Sequence, residues 1–172
     1  MSKPLVGIIM GSESDLDVMS EAAKTLDNFG VVYELHIVSA HRTPKTMSKY
    51  AETAETRGLK IIIAGAGGSA HLPGMTASHT PIPVIAVPVK RDNHDHEALW
   101  SNVKMPPGVP LATMPENGAK NAALFAVEIL SLNDASLAQL YAEYRVKQQA
   151  AVTGSDQKLQ DLGWQAFLAQ KN

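Results

Sequence analysis

The chain of 172 residues contains no cysteine. That excludes a disulfide framework, a thiol nucleophile and a thiolate metal site, and it is compatible with a cytosolic protein. Charge of one sign is also missing. A formal net charge of -2 leaves no basic field to attract nucleic acid or an anionic membrane. No stretch approaches the length of a membrane span, and the apolar run LVGIIM at 5–10 is too short for the core of a signal peptide. Internal repeats and low-complexity tracts are absent. What remains is ordinary: 45% hydrophobic and 19% charged residues, enough for one core in a single domain.

The apolar runs are short, and turn residues separate them. Residues 5–10 predict a strand buried on both faces, and 31–38 a second buried strand. Residues 60–64, 83–87 and 109–113 predict three more, the last one weak. Between them lie helical patterns. Val18, Met19, Ala22, Ala23 and Leu26 share one face, and Gly30 ends that helix. Residues 45–57 form the next helix, with Met47, Tyr50, Ala51 and Ala54 inward and Gly58 as its stop. Short helical pieces are expected at 75–78 and 99–103, and a buried small-residue helix at 119–130. Strands alternating with helices over short loops predict an α/β fold. The expected form is a three-layer, doubly wound parallel sheet, flavodoxin-like, with right-handed crossovers. After Asp134 the pattern changes. Leu137, Leu140, Tyr141 and Tyr144 mark a helix to about 151. Gly154 and Ser155 are expected to break it before a second amphipathic stretch carrying Leu159, Leu162, Ala166 and Phe167. The reading is one domain, with an α/β core at 5–131 and a helical extension at 134–172. The extension packs either on its own domain or on a neighbouring subunit.

Ligands of such sheets bind at the carboxyl edge. The turn at 39–44, SAHRTP, lies there. His41 can move a proton near neutral pH, and Arg42 can fork onto a phosphate or carboxylate. The ordinary alternative is a polar turn, with Ser39 or Thr43 capping a helix that Pro44 starts. The first edge loop, 11–15 (GSESD), offers helix-end N–H groups for a phosphate and an acid for ribose hydroxyls. Its ordinary alternative is a capping box of Ser14 with Asp17. The third loop, 65–74, is glycine-rich, so backbone can approach a ligand closely. There His71 either handles a second proton or is a hydrogen-bonded histidine beside tight packing.

Asp92, His94, Asp95, His96 and Glu97 hold the right atoms for a divalent metal. His94 and His96 point apart in an extended chain, however, so a solvated loop is the reading here. Trp100 and the Tyr141–Tyr144 pair read as packing groups rather than stacking platforms.

The three edge loops GSESD, SAHRTP and AGAGGSAHLPG follow successive strands in that order. Together with MPPGVP at 105–110 and NAAL at 121–124, they resemble the N5-carboxyaminoimidazole ribonucleotide mutases of purine biosynthesis. That family is also known as the catalytic subunit of phosphoribosylaminoimidazole carboxylase. The resemblance implies a cytoplasmic homo-octamer acting on a small ribonucleotide, without metal or organic cofactor. By motif it implies that His41 is the catalytic acid/base and that Ser12, Asp15 and Arg42 are substrate ligands. Ser14, Ser39, Gly67, Ala70, His71 and Leu72 would complete the pocket wall. Two places depart from the family pattern, the charged segment 90–97 and the connection 114–118. The sister class carboxylates aminoimidazole ribonucleotide with free carbon dioxide. It usually has Lys at the position of Arg42 and lacks AHLPG. A non-catalytic nucleotide-binding module is the further alternative, since this fold hosts many functions.

Overall fold

The computed structural model describes residues 3–91 and 96–170. Its first strand, β1 (Val6–Met10), is an interior strand buried at every position. β1 pairs in parallel with β2 (Tyr33–Ile37) on one side and β3 (Ile61–Gly67) on the other, so that Val6 lies opposite both Tyr33 and Ile61. β3 pairs with β4 (Val84–Val89), and Ile85 and Ala86 of β4 pair with β5 (Ala112–Thr113). The order β2-β1-β3-β4-β5 is the flavodoxin-like one. It reverses direction between β1 and β3, and such a reversal opens a crevice at the carboxyl edge.

Helical periodicity translated directly into packing. α1 (Leu16–Asn28) turns Met19, Ala22 and Leu26 inward. α2 (Pro44–Arg57) buries Met47, Ala51 and Ala54, and Gly58 caps it in the left-handed region. Ile9, Ile62, Leu59, Met47, Ala64 and Val84 meet in one apolar cluster. Fully burying each of the larger side chains is worth about 1.5–3 kcal/mol. α3 (His71–Ser78), α4 (Glu97–Val103) and α5 (Ala119–Ser131) follow β3, β4 and β5.

Three expectations are corrected. The second strand is not buried: Leu35 and Ile37 are exposed, because β2 is an edge strand paired only with β1. An apolar run does not reveal how many of its faces are covered. Residues 65–67 are not loop but the end of β3, where Gly65 lies opposite Met10 and Gly67 opposite Val89. Trp100 is half exposed, with Lys104 Nζ 5.4 Å from its ring centroid, so it is not a core packing group in this chain.

The chain divides into two compact units, Met1–Leu130 and Ser131–Asn172. In the second, Asp134 accepts the Leu137 N–H at 3.0 Å and so caps α6 (Ala135–Leu162). The rings of Tyr141 and Tyr144 stack with centroids 6.4 Å apart. The expected break at Gly154 and Ser155 does not occur, since α6 runs straight through them. An interior glycine costs a helix only about 1 kcal/mol relative to alanine. The break comes at Gly163, whose φ of +74° suits a residue without Cβ, and α7 (Trp164–Ala169) follows. No helix among the described residues is long and apolar enough to cross a membrane.

Candidate active site

Three crossover loops meet at the crevice between β1 and β3. The loop after β1 makes one 3₁₀ turn, Glu13–Asp15. Ser12 opens it as a capping box with Asp15: the Ser12 N–H donates to Asp15 Oδ2 at 3.0 Å, and Ser12 Oγ accepts the Ser14 N–H at 3.4 Å. The expected box of Ser14 with Asp17 is therefore displaced by two residues. Its acid is the buried Asp15 rather than the exposed Asp17.

The turn after β2 is closed by hydroxyls. The Ser39 N–H donates to Thr43 Oγ1, which itself donates to the Ser39 carbonyl, and the Arg42 N–H donates to Ser39 Oγ. Thr43 stands at the N-cap of α2 without a side-chain cap, because its hydroxyl is spent on the turn. Pro44 is the first helical residue, as expected. This bracing leaves His41 and Arg42 at the tip of the turn, both exposed. Arg42 Nη2 donates to the Gly11 carbonyl at 2.9 Å. That bond ties the second loop to the first and engages only part of a fork with five donors.

From the end of β3 comes His71, the first residue of α3. Its Nδ1 lies 2.8 Å from His41 Nε2, with the two rings at 89°. A contact this short places one proton between them, with one nitrogen donating and the other accepting.

These groups line one cavity of about 170 Å³. Ser12, Asp15, Ser39, His41, Arg42, Gly67, His71 and Leu72 all reach it. Ser14 and Ala70 do not: Ser14 Oγ accepts from Arg91 Nη2 at 2.9 Å, and Ala70 is buried and lines a different pocket. A wider groove of about 370 Å³ adjoins the cavity and shares Gly11, Ser12, Ser39 and Arg42 with it. A larger cavity of about 590 Å³ lies between residues 80–85 and 108–112. No titratable side chain lines that one, so the chemistry belongs to the histidine cavity.

Arg91 is a site residue that sequence reasoning missed. Its Nη2 donates to Asp15 Oδ1 at 2.5 Å. The available signal was a cation two residues after β4, at the same sheet edge. Asp15 is almost wholly buried, and burial pushes its carboxyl above the usual carboxylate range, against the pull of Arg91 and then of the Ser12 amide and Arg42. Two arginines against one acid leave the cavity cationic, which suits an anionic ligand.

Asp92, His94 and Asp95 lie outside the described residues. The other two members of that acidic and histidine cluster have separate partners: His96 Nδ1 meets Glu116 at 2.9 Å, and Glu97 accepts from Ser69 Oγ at 2.6 Å. No group of three potential metal ligands occurs among the described residues.

A doubly wound parallel sheet carrying a histidine pair, two arginines and a buried acid at its carboxyl edge defines an α/β protein with an anion pocket fitted for proton transfer. The chain belongs to the AIR carboxylase family, whose pattern matches residues 5–151. It is 51% identical over 169 residues to the N5-carboxyaminoimidazole ribonucleotide mutase of Thermotoga maritima, covering 98% of this chain and 99% of that protein. It is 54% identical over 172 residues to the phosphoribosylaminoimidazole carboxylase of Saccharomyces cerevisiae, covering 99% of this chain but only 30% of the yeast protein. The crystal structure of Treponema denticola PurE matches with a TM-score of 0.83 at 33% identity, covering 91% of this chain and 98% of that one.

Proposed function

We propose that the chain is an N5-carboxyaminoimidazole ribonucleotide mutase of purine biosynthesis. The observation that carries this reading is the His41–His71 contact of 2.8 Å, set in an anion pocket of a member of the AIR carboxylase family. The substrate bears a carboxylate on its exocyclic nitrogen. His41 protonates that nitrogen as the N–C bond breaks, which releases carbon dioxide inside the pocket. C4 of the imidazole then attacks the trapped carbon dioxide, and the C4 proton returns to His41. The two transfers run in opposite directions and restore the imidazole, so one side chain serves for both. With Nε2 engaged by His71, Nδ1 is the nitrogen that His41 presents to substrate. Arg42, Ser12 and Ser39 border both cavities, which supports a reading in which they bind the 5′-phosphate. The reaction as written needs no metal or organic cofactor.

The test is direct. Purified protein should interconvert the two carboxylated ribonucleotides, and the absence of turnover with either one overturns the reading. A second reading, carboxylation of aminoimidazole ribonucleotide by free carbon dioxide, has the name of the 54% identical yeast relative behind it. A non-catalytic nucleotide binder has less support, since binding alone does not call for paired imidazoles.

Arg42→Lys keeps the charge and loses the fork. We expect the ribonucleotide to bind about tenfold more weakly, the usual scale for a lost charged hydrogen bond. Binding of the phosphate-free nucleoside should hardly change. Isothermal titration of both ligands checks this, and equal losses would remove Arg42 from the phosphate.

The reading extends to a cytoplasmic homo-octamer. Val146, Val152, Trp164 and Leu168 of the terminal helices are more than half exposed in the single chain, and an apolar surface of this kind suits contact with further copies. Light scattering should give about eight times the 18.4 kDa chain mass. A monomeric mass would leave those faces without this partner.

A further inference from the structure

Arg91 spans the end of the sheet. It leaves β4, crosses β3 at Gly67 and ends against the loop after β1. Its path depends on a missing side chain: a Cβ on Gly67 would stand 2.6 Å from Arg91 Nε and 3.0 Å from the Val89 carbonyl. The guanidinium reaches Asp15 Oδ1 at 2.5 Å and Ser14 Oγ at 2.9 Å. The other Asp15 oxygen is held by the Ser12 N–H at 3.0 Å. Both carboxylate oxygens are thus held, one by Arg91, which also lines the cavity, and one by the Ser12 N–H, each with lone-pair capacity to spare.

We propose that Arg91 is a positioning residue of this site, laid across Gly67 to hold the Asp15 carboxylate toward the cavity as acceptor for the vicinal hydroxyls of a ribose. The inference rests on the ribonucleotide reading above and adds a residue that the motifs do not assign. A sugar diol offers two donors, and an ionised carboxylate is the acceptor-only group that matches them. Burial works against that ionised form, and Arg91 is the nearest cation working for it. The other groups facing Asp15 among the described residues are Arg42 from the β2–α2 turn, the Ser12 and Gly11 amides, and the rings of His41 and His71 across the cavity. None of them replaces the direct contact.

The test compares Arg91→Met and Arg91→Lys with the parent protein. Asp15 is read directly by carbon-detected NMR of carboxyl-labelled protein, its signal assigned by loss in Asp15→Asn. In Arg91→Met the Asp15 titration should move up by about one pH unit, the scale of one adjacent opposite charge. The acid limb of kcat/KM should rise with it, because the working form of Asp15 is the carboxylate and its pKa has risen. KM should increase about tenfold while kcat stays within about threefold, as expected when binding rather than chemistry is lost. The preference for the ribonucleotide over its 2′-deoxy analogue should shrink in parallel. Arg91→Lys should restore most of the titration. An unmoved Asp15 signal in well-folded Arg91→Met overturns the proposal. So does a deoxy preference that survives the substitution. A parent protein that turns over neither ribonucleotide overturns the functional reading instead, and the NMR titration still decides whether Arg91 governs Asp15.

Discussion

His41→Asn should fold and bind ribonucleotide normally while kcat falls by at least ~100-fold, the usual range for loss of a general acid/base. Asparagine keeps a planar polar group, so the Ser39–Thr43 bracing of the turn is untouched. It can still offer a hydrogen bond to His71, but it cannot carry a proton from nitrogen to C4. Because the same group gives and takes that proton, both halves of the reaction fail together, and no intermediate should accumulate. Single-turnover measurements on both carboxylated substrates check this. Near-normal turnover in either direction would remove His41 from the mechanism and leave His71, on the opposite side of the 2.8 Å contact, as the group to test next.

Substrate labelled with heavy carbon in its carbamate should give product that keeps most of the label, even in buffer rich in unlabelled bicarbonate. Carbon dioxide released beside C4 in the histidine cavity, about 170 Å³, would be present there at a high effective concentration. Capture should then outrun escape, and added bicarbonate should stimulate little. If the product takes its carboxyl carbon from the buffer, and aminoimidazole ribonucleotide with carbon dioxide is the better pair, the carboxylase reading prevails. Mass spectrometry of the product decides between the two.

Much of this was legible because period and chemistry coincided. Residues that alternate strand and helix patterns put each polar loop at the same sheet edge, so His41 and His71 could be named as site candidates from their loops alone. The contact itself could not be. Thirty positions of chain separate the two rings, and only the β2-β1-β3 order brings them together. Arg91 was overlooked for a related reason. It reads as one more charge in a polar loop until β4 is seen to pair with β3 and Gly67 is seen to clear its path. The edge position of β2 was hidden because an apolar run looks the same whether one face or two are covered. Gly154 misled because a glycine is only a weak breaker inside a long helix, whereas Gly163 carries the left-handed backbone that ends one.

The placement of β1 has a consequence for synthesis. Of the five strands, the first to be made, Val6–Met10, lies inside the sheet between two partners, and one of them, β3, begins only at Ile61. At a translation rate of roughly 5–20 residues per second, β1 waits about 3–11 s for that neighbour. Throughout that interval an uncharged, β-prone pentapeptide, VGIIM, is unpaired on one side, and windows of this composition seed intermolecular pairing. The nascent chain is thus exposed while two of the three site loops are already made and the third is still to come, and its yield in a cell depends on how well that short segment is shielded until β3 arrives.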